Sequence, residues 1–214
     1  IRDSSVTGVQ TCALPIYGIN FVTNIVYMQE YIDRFVKSKN PNLGIKCIAS
    51  QTVPTSELQS DQAKLFGCDV DYNAYTMKAN PKPEGTSTNL RSAGFHIHVG
   101  YENPDVDTSL ALVRYMDAFL GIPSVVKDKD KKRRSLYGKA GCFRLTDYGV
   151  EYRVLSSTMM SSSSKLSFVW RQLQKALRAC QINYSLPSRD LVQKTINNSD
   201  VELAEQLITH YNLA

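Results

Sequence analysis

A chain of 214 residues, 43% hydrophobic and 21% charged, has the balance of a folded globular protein and enough length for one sizeable core. Its net charge of +5 is small, and no apolar run approaches bilayer-spanning length, so neither a membrane protein nor a strongly basic nucleic-acid binder is expected. The five cysteines include no C-x-x-C pair, which argues against a zinc knuckle; Cys47, Cys68, Cys142 and Cys180 are read as reduced, mostly buried thiols of a cytoplasmic protein.

The first 16 residues do not read as native protein. "VTGVQTCALPI", Val6 to Ile16, has neither the charged start nor the apolar run of a signal peptide. Back-translated, it matches a common short-read sequencing adapter; the preceding "IRD" matches the adjoining adapter segment, with Ser4 and Ser5 where an index would lie. Residues 1–16 are therefore taken as an adapter-derived artefact, and 17–214 as a native part whose upstream sequence is expected to be missing.

From Asn24 onward, Ile25, Met28, Ile32, Phe35 and Val36 recur at helical spacing and stop before Pro41, predicting a helix, with a strand after it in "LGIKCIAS". A short helix is predicted through "SELQSDQAKLFG", ending at Gly67, and a loop through "KANPKPEGTSTNLRSAG". "AGFHIHVG" alternates as a strand does, and a helix through "SLALVRYMDAFLG" is expected to be capped by Asp107 or Thr108 and closed by Gly121 and Pro123. The run "KDKDKKRR", Lys127 to Arg134, carries nearly all the excess charge. It is read as a solvated loop, the alternative being a phosphate patch; without interleaved aromatic residues it does not suit nucleic acid. A second strand is predicted in "GVEYRVLS", then a serine linker from Ser161 to Ser164. A helix follows in "KLSFVWRQLQKALRACQI", its apolar stripe formed by Leu166, Val169, Trp170, Leu173 and Leu177. The last helix is expected to start at a capping box, Ser199 with Glu202, and to carry Leu203, Leu207, Ile208 and Tyr211.

Side chains two apart in a strand share a face, so His96 and His98 project together while Phe95, Ile97 and Val99 face the other way. Two imidazoles aimed into one space suit a metal ion or an anion; a hydrogen-bonded core pair is the bland alternative, and zinc would require a third ligand. By the same period, Glu151 and Arg153 share one face, with Val150, Tyr152 and Val154 on the other. Alone they read as a cross-strand ion pair. Meeting the histidines, they would form a set able to hold Mg2+ and neutralise phosphate oxygens. Between the two strands Gly138 and Gly141 permit close backbone approach, and Arg133, Arg134, Lys139 and Arg144 crowd a short segment without Walker-loop spacing.

In this order, "SAGFHIHVGY", "LGIPSVVKDKDKKRRSLYGKAGCFR" and "YGVEYRVLSS" resemble the phage-type COOH–NH2 ligases, or amidoligases, of the glutamine-synthetase-like superfamily; "FGCDVDYNAYT" and "INNSDVELAEQLI" extend the resemblance over most of residues 55–214. The resemblance implies an α+β fold, a curved antiparallel sheet flanked by helices. It implies ATP- and Mg2+-dependent amide formation through an acyl phosphate, with Mn2+ as an alternative ion. It assigns the metal to His96 and Glu151, nucleotide binding to His98, Arg133, Arg134 and Lys139, and the transferred phosphoryl or substrate carboxylate to Arg153 and Arg144. The implied partners are small-molecule or peptide carboxylates and amines, with no membrane and no nucleic acid, in the cytoplasm of a bacterial host. The family's further metal-binding acids lie nearer the N-terminus. "INFVTN" is read as a remnant of such a strand with Val22 where an acid is sought, so the chain as written is expected to be inactive. A metal-dependent hydrolase using His96 and His98, and an inactive binding module, are the competing readings.

Overall fold

In this computed structural model, which describes residues 18–64, 70–81, 89–128 and 130–214, an antiparallel sheet is packed against helices. The elements are α1 Gly18–Lys39, β1 Ser50–Thr52, α2 Asp61–Lys64, β2 Tyr72–Asn73, β3 Leu90–Ser92, β4 Ile97–Gly100, α3 Val106–Met116, α4 Ile122–Lys127, α5 Lys131–Leu136, β5 Cys142–Thr146, β6 Gly149–Tyr152, α6 Ser163–Gln181, α7 Arg189–Asn198 and α8 Val201–His210. The main sheet runs β2-β5-β6-β4 with every neighbour antiparallel, and β1 pairs with β3 in a separate ladder. The class is α+β, with antiparallel sheets flanked by helices. The strand period holds: Val150, Tyr152 and Val154 are fully buried, and Phe95 and Ile97 are buried beside them, while Glu151 and Arg153 face the other side.

The central helical run is where propensity misleads. Asp105 caps α3, its carboxylate accepting from the Thr108 N–H, in place of the expected Asp107 or Thr108. Nor does the helix close at Gly121 and Pro123; it continues through a π-helical turn, Asp117–Gly121, into α4. Pro123 has no N–H to give the carbonyl four residues back, at Phe119. A π turn widens the helix where its ladder is broken, and the Phe119 carbonyl accepts instead from Gln172 Nε2 on α6 at 2.8 Å. The 22-residue run Val106–Lys127 is long and apolar enough to cross a bilayer, which corrects the expectation from sequence; 83% of its most apolar window is buried inside the protein, as in a core helix.

Asp117, in the π turn, is fully buried. Burial pushes its carboxyl up to about 7, against the donors Tyr152, Tyr75 and the Gly141 N–H. α6 packs on α3 and on α1, where Trp170 meets Phe21 with ring centroids 5.4 Å apart. The stripe residues Leu166, Val169 and Leu173 are buried as expected.

Other boundaries differ from their sequence expectation. α1 begins at Gly18, so "INFVTN" is helix rather than strand, and Val22 packs against the core beside Phe21, Ile25 and Val26. In "LGIKCIAS" only Ser50 enters a strand, because the partner β3 is just three residues long; Leu43, Ile45 and Ile48 stay exposed. That same β3 lies within the segment expected to be a loop. The short helix before Gly67 splits into a 3-10 turn at Thr55–Leu58 and α2. Ser162 caps α6, drawing Ser163 and Ser164 out of the expected linker into the helix. α7, capped by Ser188, was not anticipated; Ser199 ends it in the left-handed conformation, so Asp200, not Ser199, caps α8. The adapter-like residues 1–16, Gly67, Cys68 and the middle of the loop before β3 lie outside the described residues.

Gln172 also donates to the Leu213 carbonyl, so one buried amide serves two backbone acceptors that no helix satisfies. Leaving buried acceptors unpaired costs stability, and Gln172→Leu should lower the unfolding free energy by about 2 kcal/mol. Denaturant titration checks this; an unchanged midpoint would mean that water or another donor replaces the amide.

Candidate active site

Register brings the charged residues together. In β4 and β6, His98 pairs with Glu151; in β5 and β6, Arg144 pairs with the same Glu151. Antiparallel partners project to one face, so His98, Glu151 and Arg144 form a row across three strands. One step along, His96 lies just before β4 and Arg153 just after β6.

Glu151 is the hub, with only 2% of its side chain exposed. Its Oε1 accepts from His96 Nδ1 at 2.8 Å and from Arg153 Nη1 at 2.7 Å, and His98 Nε2 stands 3.7 Å away. Its Oε2 accepts from Arg144 Nε at 2.8 Å. Burial alone would raise the Glu151 carboxyl; the His96 hydrogen bond and the charges of Arg153, His96 and Arg144 outweigh it and hold the group down to about 2. Burial lowers His98 below its ordinary value, and the cations of the row add to this while Glu151 pulls the other way. A neutral His98 with its Nε2–H toward Glu151 leaves Nδ1 to accept from the Tyr148 hydroxyl, 2.6 Å away.

Two groups on this face went unnoticed in the sequence. Asp71 stands with Oδ2 3.6 Å from Arg153 Nε, and its Oδ1 accepts from Asn80 Nδ2 at 2.9 Å. Tyr148, at the tip of the β5–β6 hairpin, meets His98. The period-two pattern cannot reach either residue, since one precedes a two-residue strand and the other sits in a turn. The only available signal for Asp71 was its place in "FGCDVDYNAYT".

The basic run is not the expected solvated loop. Asp130 caps α5 through the Lys132 and Arg133 N–H groups, and Arg133 and Arg134 are almost wholly buried, 3% and 2% exposed. Arg133 lies behind His96: a Cβ on Gly94 would come within 2.9 Å of His96 Nε2 and 3.2 Å of Arg133 Nη2, so the absence of a side chain there lets both in. Gly138, at φ +72°, holds the other side, where a Cβ would overlap Arg133 Nη1. Arg133 Nη1 donates to the Val154 carbonyl at 3.0 Å. Burial and the adjacent Arg134 charge lower Arg133 to about 10, which leaves it cationic at pH 7.

Arg134 points elsewhere, into the core, where Nη2 donates to Ser124 Oγ and the carboxylates of Asp128 and Asp117 offset its charge. Lys139 reaches the Asn197 carbonyl at the end of α7, 3.5 Å away. The structure thus gathers His96, His98, Glu151, Arg153, Arg144 and Arg133 on or beside one sheet face, and leaves Arg134 and Lys139 outside it.

The donor set bears on which ions it suits. Mg2+ takes oxygen ligands, and this face offers one carboxylate whose oxygens already accept from two guanidinium groups and an imidazole. Among the described residues no group of three or more His, Cys, Asp or Glu side chains is arranged to hold a metal. These residues do not by themselves fit a magnesium site; they make a cationic face around one buried anion.

Residues 85–211, more than half of the chain, match the sequence model of the phage phiEco32-like COOH.NH2 ligase-type 2 family. The chain belongs to that family. Comparison with curated proteins and with solved structures gave no match. The ligase match spans β4, β5 and β6 and every residue of the charged row, while Asp71 lies before its start.

The ligase fold should feel Glu151 as acid is added. Because its folded pKa is depressed, its contribution is complete above its ordinary value of 4.5 and is lost as pH falls toward about 2. Unfolding free energy should therefore decline across that window, and Glu151→Gln, already less stable at neutral pH, should show a flatter acid limb. Parallel limbs for the two proteins would remove Glu151 from the linkage.

Proposed function

We propose that this protein is an ATP-dependent carboxylate–amine ligase of glutamine-synthetase-like architecture, working through an acyl phosphate on the face of β4, β5 and β6. The observation that supports this reading is the clamp of Arg144 and Arg153 on opposite oxygens of buried Glu151. Phosphoryl transfer to a carboxylate brings two anions together, and its catalysis is positioning plus charge stabilisation. Glu151 holds both guanidinium groups in one orientation, so they do not reorganise when charge develops. Arg153, 9% exposed, presents a fixed fork to the carboxylate or the transferred phosphoryl, with Arg144 beside it. His98, neutral, with Nδ1 engaged by Tyr148 and its Nε2–H turned toward Glu151, adds a polar but uncharged wall beside the nucleotide phosphates, and Arg133 adds charge from behind Gly94.

The proposed cofactors are ATP and Mg2+, with Mn2+ as the alternative ion and with His96 and Glu151 as the ligands this chain would contribute. The incomplete donor set means that further acids must come from outside the described residues. The substrates are proposed to be a small-molecule or peptide carboxylate and an amine, met in the cytoplasm of a bacterial host. The hydrolase reading gains nothing from the site: Glu151, the carboxylate beside His96 and His98, already accepts from two guanidinium groups, and no group of three His, Cys, Asp or Glu among the described residues is arranged to hold a metal.

Hydroxylamine trapping tests the reaction. With ATP, Mg2+, hydroxylamine and a set of amino acids and short peptides as carboxylates, the protein should release ADP and hydroxamate in equal amounts. Arg153→Lys keeps the charge and loses the fork, and should reduce the rate by about 100-fold. ADP without hydroxamate would make the site a nucleotidase. Unaltered turnover in the lysine variant would reduce Arg153 to a structural ion pair.

A further inference from the structure

Beneath the charged face, on the opposite side of the same strands, one carboxylate receives three donors from three segments. Tyr152 OH donates to Asp117 Oδ1 at 2.9 Å; Tyr75 OH and the Gly141 N–H donate to Oδ2 at 2.9 and 2.6 Å. Each donor is tied to a charged group above. Tyr152 sits in the chain between Glu151 and Arg153 and points the opposite way. Gly141 immediately precedes β5, which carries Arg144. Tyr75 belongs to the turn after β2, four residues from Asp71, whose carboxylate faces Arg153.

The fit around these bonds is close. Gly141 has φ +75°, and a Cβ there would lie 2.8 Å from the Tyr75 ring and 3.0 Å from the Ala74 N–H nitrogen. On Gly121 a Cβ would come within 2.9 Å of the Tyr152 hydroxyl. Arg114, one turn before Asp117, donates through Nε and Nη2 to the Ala74 carbonyl, so the helix grips the Tyr75 turn twice.

We propose that Asp117 is the positioning residue of the ligase face: from the buried side of the sheet it sets β6, the start of β5 and the Tyr75 turn relative to one another, and so fixes how Arg144 and Arg153 close on Glu151. The chemical need is specific. Two strands and a turn must hold two guanidinium groups on one carboxylate to within a fraction of an ångström; backbone pairing joins β6 to β5 and β5 to β2, and Asp117 adds the side-chain bonds that tie the Tyr75 turn after β2 and the Gly141 turn before β5 to the helix beneath. The π turn at Asp117–Gly121 gives a single helical residue the reach to all three. This proposal rests on the ligase reading for its catalytic meaning, while its geometric content stands without it.

The test separates positioning from stability. Tyr152→Phe and Asp117→Asn are made in the full-length protein, with Tyr27→Phe on the exposed side of α1 as control. The readouts are thermal melting, the Arg144 Nε–H resonance in 15N-resolved NMR, and hydroxamate turnover. The expected result is cooperative melting in Tyr152→Phe with the Arg144 Nε–H signal displaced from its hydrogen-bonded position, and turnover reduced roughly tenfold or more at unchanged KM for ATP. Asp117→Asn should behave likewise if it folds; Tyr152→Phe decides the matter if it does not. A folded Tyr152→Phe variant with the Arg144 signal in place and normal turnover would overturn the proposal and leave Asp117 a stabilising core residue. Absence of hydroxamate from the unaltered protein would bring down the ligase reading instead, and the NMR signal would still decide whether Asp117 positions the face.

Discussion

Strand β6 is buried on both faces, and the two faces have opposite chemistry. Below it, Val150 and Tyr152 are sealed against the helices; above it, Glu151 is just as inaccessible. An ionised carboxylate removed from water needs partners on each oxygen or it is driven to protonate. Arg144, Arg153 and His96 meet that requirement, and the neighbouring strands are where they must be to do so. The order β2-β5-β6-β4 sets β5 and β4 on either side of β6, so that Arg144 from one side and His96 from the other meet the same carboxylate as Arg153 from the end of β6 itself.

The helical layer shows the same economy with polar groups. Pro123 and the π turn at Asp117–Gly121 leave a break in the backbone ladder, and a side chain from another helix fills it: Gln172 takes the carbonyl that Pro123 cannot serve. The break also gives the core an acid. Asp117 would be an unlikely choice for a buried helical position on propensity alone, yet three donors converge on it and Arg134 lends a nearby charge. Core and face are therefore coupled through alternate residues of one strand, Tyr152 downward and Glu151 upward.

Much of this was legible as periodicity. Alternation placed His96 with His98 and Glu151 with Arg153, and the apolar stripe of α6 located its buried side. What periodicity could not supply was register, which is a property of two strands and decides that His98 and Arg144 both face Glu151. The basic run misled for a related reason: composition treats six cations within eight residues as solvated, whereas a six-residue helix, α5, turns Arg133 and Arg134 inward and leaves Lys131 and Lys132 outside. Caps failed where two candidates were adjacent, Ser199 and Asp200, because a left-handed residue that ends one helix can directly precede the cap of the next. Asp71 and Tyr148 escaped notice because residues in turns carry no period.

The cations of the face are held in place by carboxylates. Arg133, Arg144 and Arg153 stand around Glu151 and Asp71, with Asp128 and Asp130 offsetting Arg133 and His98 held toward its neutral form by burial. Paired charges alone would give a structural cluster, satisfied and inert. A guanidinium clamped by a buried carboxylate at a partly exposed face has a different property: its orientation is fixed before any ligand arrives. Arg133 joins this face through Gly94 and Gly138, which admit it at the cost of any side chain of their own. A site so arranged favours a ligand with more negative charge than a single carboxylate, as an acyl phosphate or its transition state has. The glycines, the short helix α5 and the overfilled carboxylate are thus one device, read from three parts of the chain.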